Sequence, residues 1–209
     1  PKFQPYKHAD HEYVLESLLN SRNERLEKYE NARLGIQLDE VIFIPAANPP
    51  HKNEDSVTKA MHRYIMTAMA TYSNPFFHVS AIEMERPGPS YTIDTIYALK
   101  KQYGANTDLF FITGADTIQE IPTWDRIEEL LGLCHFIAAT RQGCKITLEQ
   151  IKDHFGQLGK EKIHRLNTPE LEISSTDIRD KVKNMISIKY LVPESVEKYI
   201  YKEKLYLGK

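Results

Sequence analysis

The chain has only two cysteines, one tryptophan and nine glycines in 209 residues, and no apolar run near the roughly 20 residues a membrane-spanning helix requires. Cys134 and Cys144 fall in no metal-ligand or redox spacing, which fits a reducing cytosol better than a disulfide scaffold. An excess of charge of either sign is missing as well. Lys and Arg number 27 against 29 Asp and Glu, a net charge of -2 with a pI near 6.5, so nothing draws the whole chain to nucleic acid or to an anionic membrane. Any basic site must be local. Pro1-Lys2-Phe3-Gln4 shows no signal-peptide apolar core, and there is no internal repeat or low-complexity tract. A cytoplasmic protein without nucleic-acid or membrane partners is expected. What is present is 41% hydrophobic residues, enough to bury a core in a single domain over 1–209, with a small C-terminal helical part from about 171 to 209.

The apolar pattern alternates between two periods. Glu12 to Leu34 carries Val14, Leu15, Leu18, Leu19, Leu26 and Tyr29 at helical spacing, with a mixed charge run on the other face. Val41-Ile42-Phe43-Ile44-Pro45 is a continuous apolar run ended by proline, the mark of a strand buried on both faces of a parallel sheet. Helices are expected over 59–73, from Ser90 through Tyr103, over Trp124 to Leu131, and over 147–158. Strands are expected at Phe76 to Ser80, Leu109 to Thr113, Cys134 to Ala139 and 162–166. A last helix, Glu194 to Tyr201, has Pro193 at a plausible first position. Strands alternating with helices imply βαβ units, hence an α/β, doubly wound, mostly parallel sheet.

Ligands of such sheets gather beyond the carboxyl ends of the strands. Three predicted strand ends carry chemistry: His51 and Lys52 in the Asn48-Pro49-Pro50 loop, Asp116 after Gly114-Ala115, and Arg141 after the strand that ends at Ala139. Each alone has a plain reading, as a surface cation, a loop residue or a helix cap; three together point to a site. A fourth element is Ile173-Ser174-Ser175-Thr176-Asp177-Ile178-Arg179. Ser174 with Asp177 three residues on has the form of a capping box, so a helix starts there. Its free N–H groups, three hydroxyls and the Arg179 guanidinium suit a phosphate. An ordinary capped helix with an exposed arginine is the competing reading of that segment alone. Trp124 is by default core, with ring stacking as the sharper alternative.

Four stretches then carry a family resemblance: VIFIPAANPPHK (Val41 to Lys52), GPSYTIDT (Gly88 to Thr95), FITGAD (Phe111 to Asp116) with Trp124 downstream, and ISSTDIR (Ile173 to Arg179). In order and spacing they resemble bacterial nicotinate-nucleotide adenylyltransferases over roughly residues 38 to 205. ISSTDIR by itself is shared with other nucleotidyltransferases of the same superfold. The resemblance implies a Rossmann-like nucleotidyltransferase fold. It also implies that Ser175, Thr176 and Arg179 contact ATP phosphates, that Lys52 faces phosphate, and that Asp116 and Arg141 belong to the nucleotide site. Thr92 would recognise the nicotinate carboxylate and Trp124 would stack on the pyridine ring. Gln142 stands where the family's Arg-Pro-Gly loop has proline, and Asp125 follows Trp124 where an aromatic residue or histidine is usual.

The same resemblance makes Phe3-Gln4-Pro5-Tyr6-Lys7-His8-Ala9-Asp10-His11 a version of the family's His-x-Gly-His turn, with one extra residue, Asp10 in place of glycine and no strand before it. His8 and His11 would then contact the ATP phosphates beside Lys52 and Arg179; a head that merely looks similar is the alternative. As a zinc site the two histidines lack further nearby ligands. The implied reaction joins ATP and nicotinate mononucleotide into nicotinate adenine dinucleotide and pyrophosphate, with Mg²⁺ sharing the phosphate charge. The other readings are a catalytically impaired nucleotide-binding or regulatory relative, and an adenylyltransferase for another phosphate acceptor. Homodimerisation is left open by the sequence.

Overall fold

The computed structural model describes residues 7–9, 35–48, 58–140, 148–167 and 174–207, with backbone alone at 7–9, 115, 116, 140 and 167. The helix expected over Glu12 to Leu34 lies outside them. Strand β1 (Lys7–Ala9) is followed by β2 (Val41–Pro45), helix α1 (Ala60–Thr71), β3 (Phe77–Val79), α2 (Thr92–Tyr103) and β4 (Phe110–Gly114). Then come α3 (Ala115–Glu120), a 3₁₀ turn (Ile121–Thr123), α4 (Ile127–Leu133), β5 (His135–Thr140), α5 (Leu148–His154), α6 (Gly156–Lys162), β6 (Ile163–Asn167), α7 (Ser175–Lys183) and α8 (Glu194–Lys202).

Among the described residues every strand pair is parallel. β2 lies between β1 and β3, with Phe43 opposite Lys7 and Val79, and β5 lies between β4 and β6, with Ala138 opposite Thr113 and Arg165. β1 packs alongside β4, which sets the two three-stranded sheets edge to edge in the order β3-β2-β1-β4-β5-β6. Chain order therefore runs outward in both directions from β1 and β4, and the crevice at that reversal is where such sheets bind ligands.

All five residues of β2 are buried, and their alternation supplies both faces of the layer. Val41 and Phe43 share one cluster with Phe77, Ile112 and Ile137. Ile42 and Ile44 share the other with Phe111, Phe136 and Ala138, covered by Ile93, Ile96 and Leu99 of α2 and Leu130 and Leu131 of α4. Because strands of both sheets contribute to both clusters, the two sheets act as one layer. The C-terminal helices bury Ile178, Val182, Val196 and Ile200 against Met66 and Ala70 of α1. Among the described residues no helix is long and apolar enough to cross a membrane.

The structure revises five sequence expectations. Lys7 to Ala9 form a strand rather than part of a turn, because their backbone groups pair with β2 and close an edge that would otherwise stand open. Trp124 is not helical: it follows the 3₁₀ turn Ile121–Thr123, which contains Pro122, in extended conformation (φ -73°, ψ 149°). The 147–158 helix is two helices, since Gly156 takes φ 58°, a left-handed value that ends α5 and restarts the chain as α6. Gly159 then lets the two approach; a Cβ there would lie 2.4 Å from the Lys152 carbonyl oxygen. Pro193 is the residue before α8, not its first. Asp116 is the second residue of α3, and Gly114 occupies the cap position, so capping is not the role of Asp116.

Candidate functional site

The best-defined part of the site is the start of α7. Ser174 is extended (φ -105°, ψ 159°) and its Oγ accepts a 3.0 Å hydrogen bond from the Asp177 N–H. The Ile178 N–H donates to the Ser174 carbonyl oxygen, which leaves the N–H groups of Ser175 and Thr176 without an acceptor inside the helix. The capping box is half formed. The Asp177 carboxylate turns to Lys181, 3.1 Å away and one helical turn on.

Ser175 is fully buried, and its Oγ makes no hydrogen bond with the described residues. An unpaired buried hydroxyl costs about 1–3 kcal/mol, a penalty that a phosphate oxygen would remove once movement of the covering residues lets it reach the hydroxyl. Thr176 is exposed beside it and accepts a 3.0 Å hydrogen bond from Arg179 Nη2, which holds the guanidinium over the first turn of the helix. Free N–H groups, an unspent hydroxyl, a second hydroxyl and a fixed cation thus converge at the positive end of a nine-residue helix.

A second group of residues surrounds the carboxyl end of β2. The Ala47 and Asn48 N–H groups donate to Ser90 Oγ at 3.1 and 3.2 Å, and the Ser90 N–H donates back to the Asn48 carbonyl oxygen at 2.8 Å. Asn48 Nδ2 also reaches the Gly88 carbonyl oxygen at 3.2 Å. The chain leaving β2 is therefore stitched to the segment entering α2. Thr92 is the first residue of α2, and the residue before it, Tyr91, makes no side-chain cap bond, so the positive end of this helix is open to an anionic group. Asp94 sits in that first turn, where it would repel such a group, but Arg126 Nη2 pairs with it at 2.9 Å.

Arg126 adopts a left-handed backbone (φ 48°, ψ 44°), an uncommon state for a non-glycine residue, and pairs with Asp125 at 3.2 Å as well. This fixes the segment that holds Trp124 beside α2. The indole packs edge-on against Phe111 and Phe136, with ring centroids 5.5 and 6.2 Å apart, and is half-buried.

Of the residues singled out from the sequence, the structure places Thr92 and Trp124 at neighbouring elements, bridged by Asp94 and Arg126. It places Ser175, Thr176 and Arg179 together on α7. Asp116 lies directly after β4, at the reversal of strand order, and His8 lies within β1 opposite Ile44. His11, Lys52 and Arg141 lie outside the described residues.

Two groups escaped the sequence reading. Arg63 of α1 is 3% exposed on the same helical stripe as Met66, Thr67 and Ala70; a charge at an apolar position was the available signal. Tyr206 brings a buried hydroxyl beside Thr58, Arg63 and Arg179, and burial pushes its pKa up; no local pattern announces it.

Comparison with known proteins identifies the family. The cytidylyltransferase-like family pattern matches residues 26–181. The chain is 51% identical over 182 residues to the "Probable nicotinate-nucleotide adenylyltransferase" of Thermoanaerobacter sp. (strain X514), covering 85% of this chain and 84% of that one. The chain belongs to the nicotinate-nucleotide adenylyltransferase family. A second such relative, from Moorella thermoacetica, is 50% identical over 178 residues, 85% of this chain and 82% of that protein. In solved structures the fold matches Plasmodium falciparum nicotinic acid mononucleotide adenylyltransferase complexed with NaAD, with a TM-score of 0.71, 22% identity and 99% and 98% of the two chains covered. The structure of that enzyme complexed with APC gives 0.72 at 20% identity over the same shares. At these identities the likeness is one of fold. His8 and His11 precede the residues that the family pattern matches.

Proposed function

We infer that this family member transfers the adenylyl group of ATP to nicotinate mononucleotide, releasing pyrophosphate and forming nicotinate adenine dinucleotide in NAD biosynthesis. The observation that carries the reading is the start of α7, where a buried, unspent Ser175 hydroxyl meets Thr176 and a guanidinium fixed by a 3.0 Å hydrogen bond.

An oxygen of the acceptor's phosphate attacks the α-phosphorus, and the bond from that phosphorus to the bridging oxygen of the leaving pyrophosphate breaks, the oxygen keeping the electron pair. The attacking phosphate is already anionic at neutral pH, so no enzymic nucleophile or base is needed. What the protein supplies is alignment and positive charge. In this reading Ser175, Thr176 and Arg179 hold the phosphates of ATP, and Arg179 with Lys52, His8 and His11 bears the charge that develops on pyrophosphate. Asp116 and Arg141 belong to the nucleotide side. Thr92, at the open start of α2, takes the nicotinate carboxylate, and Trp124 lies against the pyridine ring, with Lys52 near the acceptor phosphate.

Among the described residues no group of three or more His, Cys, Asp or Glu side chains could hold a metal ion. Mg²⁺ would accompany the triphosphate and share its charge, as is common for this ion; no step is assigned to a protein-bound metal. The reading places the enzyme in the cytoplasm, on small-molecule substrates, and is compatible with a homodimer. Incubation with ATP, Mg²⁺ and either nicotinate or nicotinamide mononucleotide, with pyrophosphate measured, tests it. Release with the nicotinate substrate supports the reading, and nucleotide binding without release would favour a non-catalytic relative.

A further inference from the structure

We propose that Arg63 is a positioning residue for the acceptor side of the site, fixing the chain that leaves β2 against the start of α2. Arg63 Nε donates to the Thr58 carbonyl oxygen at 2.8 Å and Nη2 donates to the Ala47 carbonyl oxygen at 3.3 Å. Ala47 comes two residues after β2 and Thr58 two before α1, so one guanidinium grips both stems of the intervening segment. The Glu83 carboxylate, itself 1% exposed, acts on this guanidinium through space, favouring its charged form; Glu83 Oε1 accepts from Thr95 Oγ1 at 2.7 Å, and Thr95 belongs to the first turns of α2.

Burial lowers the Arg63 pKa to about 10, which leaves it cationic at neutral pH. A buried charge contributes little net stability compared with well-packed apolar side chains, so what this one specifies is geometry. Arginine is required by the fork: two carbonyls on different segments are met at once by separate N–H groups, and the point charge of a lysine cannot span them. The consequence falls on Thr92, because Ala47 and Asn48 are bonded to Ser90 just ahead of it.

The proposal rests on the reading of Thr92 as part of the acceptor site. Its test is Arg63→Lys, with Arg63→Gln as a second variant, assayed by steady-state kinetics and by amide hydrogen exchange. The expected result is a KM for nicotinate mononucleotide raised at least tenfold with the KM for ATP within threefold. The Ala47, Asn48 and Ser90 amides should exchange at least tenfold faster, relative to amides of β4 and β5. Equal loss toward both substrates, unchanged exchange at those three amides, or failure of both variants to fold would overturn it, the last by making Arg63 a folding residue alone. If the unaltered protein released no pyrophosphate, the functional reading would fail, and the exchange measurement would still decide whether Arg63 holds the stems.

Discussion

Ser174 and Ser175 are neighbours with the same side chain, and the structure predicts opposite consequences for their replacement by alanine. Ser174 Oγ accepts from the Asp177 N–H at 3.0 Å, so Ser174→Ala removes a helix cap, at a cost of about 1 kcal/mol. For a protein of this size that lowers Tm by about 2–4 °C. Ser175 Oγ is buried without a partner among the described residues, so Ser175→Ala removes an unsatisfied group and places a better helix former at the first helical position. Its Tm should stay level or rise by about 2–4 °C, taking the low end of the buried-hydroxyl penalty as roughly 1 kcal/mol.

Function reverses the order. A hydroxyl donating to a charged phosphate is worth about 1.5–3 kcal/mol, so Ser175→Ala should weaken ATP by roughly 10- to 150-fold. Ser174→Ala, which leaves that hydroxyl in place, should change ATP binding far less. Differential scanning calorimetry with and without ATP reads both effects, since the ATP-induced rise in Tm shrinks as affinity falls. The reasoning is refuted if Ser175→Ala destabilises like Ser174→Ala and keeps its ATP affinity. Ser175 would then be a structural hydroxyl.

Other consequences follow from the geometry. Arg126→Ala exposes the Asp94 carboxylate at the start of α2 and frees the segment of Trp124; steady-state assays should show the KM for nicotinate mononucleotide up by roughly three- to tenfold, about 1 kcal/mol, with ATP little affected. At the far end of β5, His135 Nε2 accepts from Lys162 Nζ at 3.2 Å, so its Nδ1 carries the proton that it donates to His164 Nε2 at 2.8 Å. Burial, then Lys162 and His164, hold the His135 pKa down to about 4, with Lys100 opposing protonation and Asp108 favouring it; burial, Lys152 and Lys162 lower that of His164. Below the ordinary value of 6.5 the unfolded chain binds protons that the fold refuses, so stability should fall from pH 6.5 toward 4, and His135→Gln should flatten that slope in thermal melts.

The buried strands were legible because continuous apolar runs such as Val41 to Ile44 and Leu109 to Ile112 leave little choice of location, and Ser174 announced its helix through local chemistry. Trp124 was misplaced because Pro122 permits a 3₁₀ turn whose exit is decided by packing on Phe111 and Phe136, which periodicity does not register. The break at Gly156 depended on a close approach of α5 and α6, and β1 on pairing with a strand more than thirty residues away in the chain. For the site, the open helix start and the neighbourhood of Thr92 and Trp124 followed from motifs. Arg63 and Tyr206 did not, because their meaning lies in contacts with distant segments.

The most direct test of the account compares the unaltered protein with Arg179→Ala in pyrophosphate release from ATP and nicotinate mononucleotide. Arg179 is half-exposed and bonded to the exposed Thr176, so its loss should leave Tm within about 2 °C. Turnover should fall by about 10²–10³, as expected when one group that stabilises transition-state charge is removed. An unchanged rate, or a loss matched by unfolding, would contradict the claim that the start of α7 is the phosphate-binding centre of the enzyme.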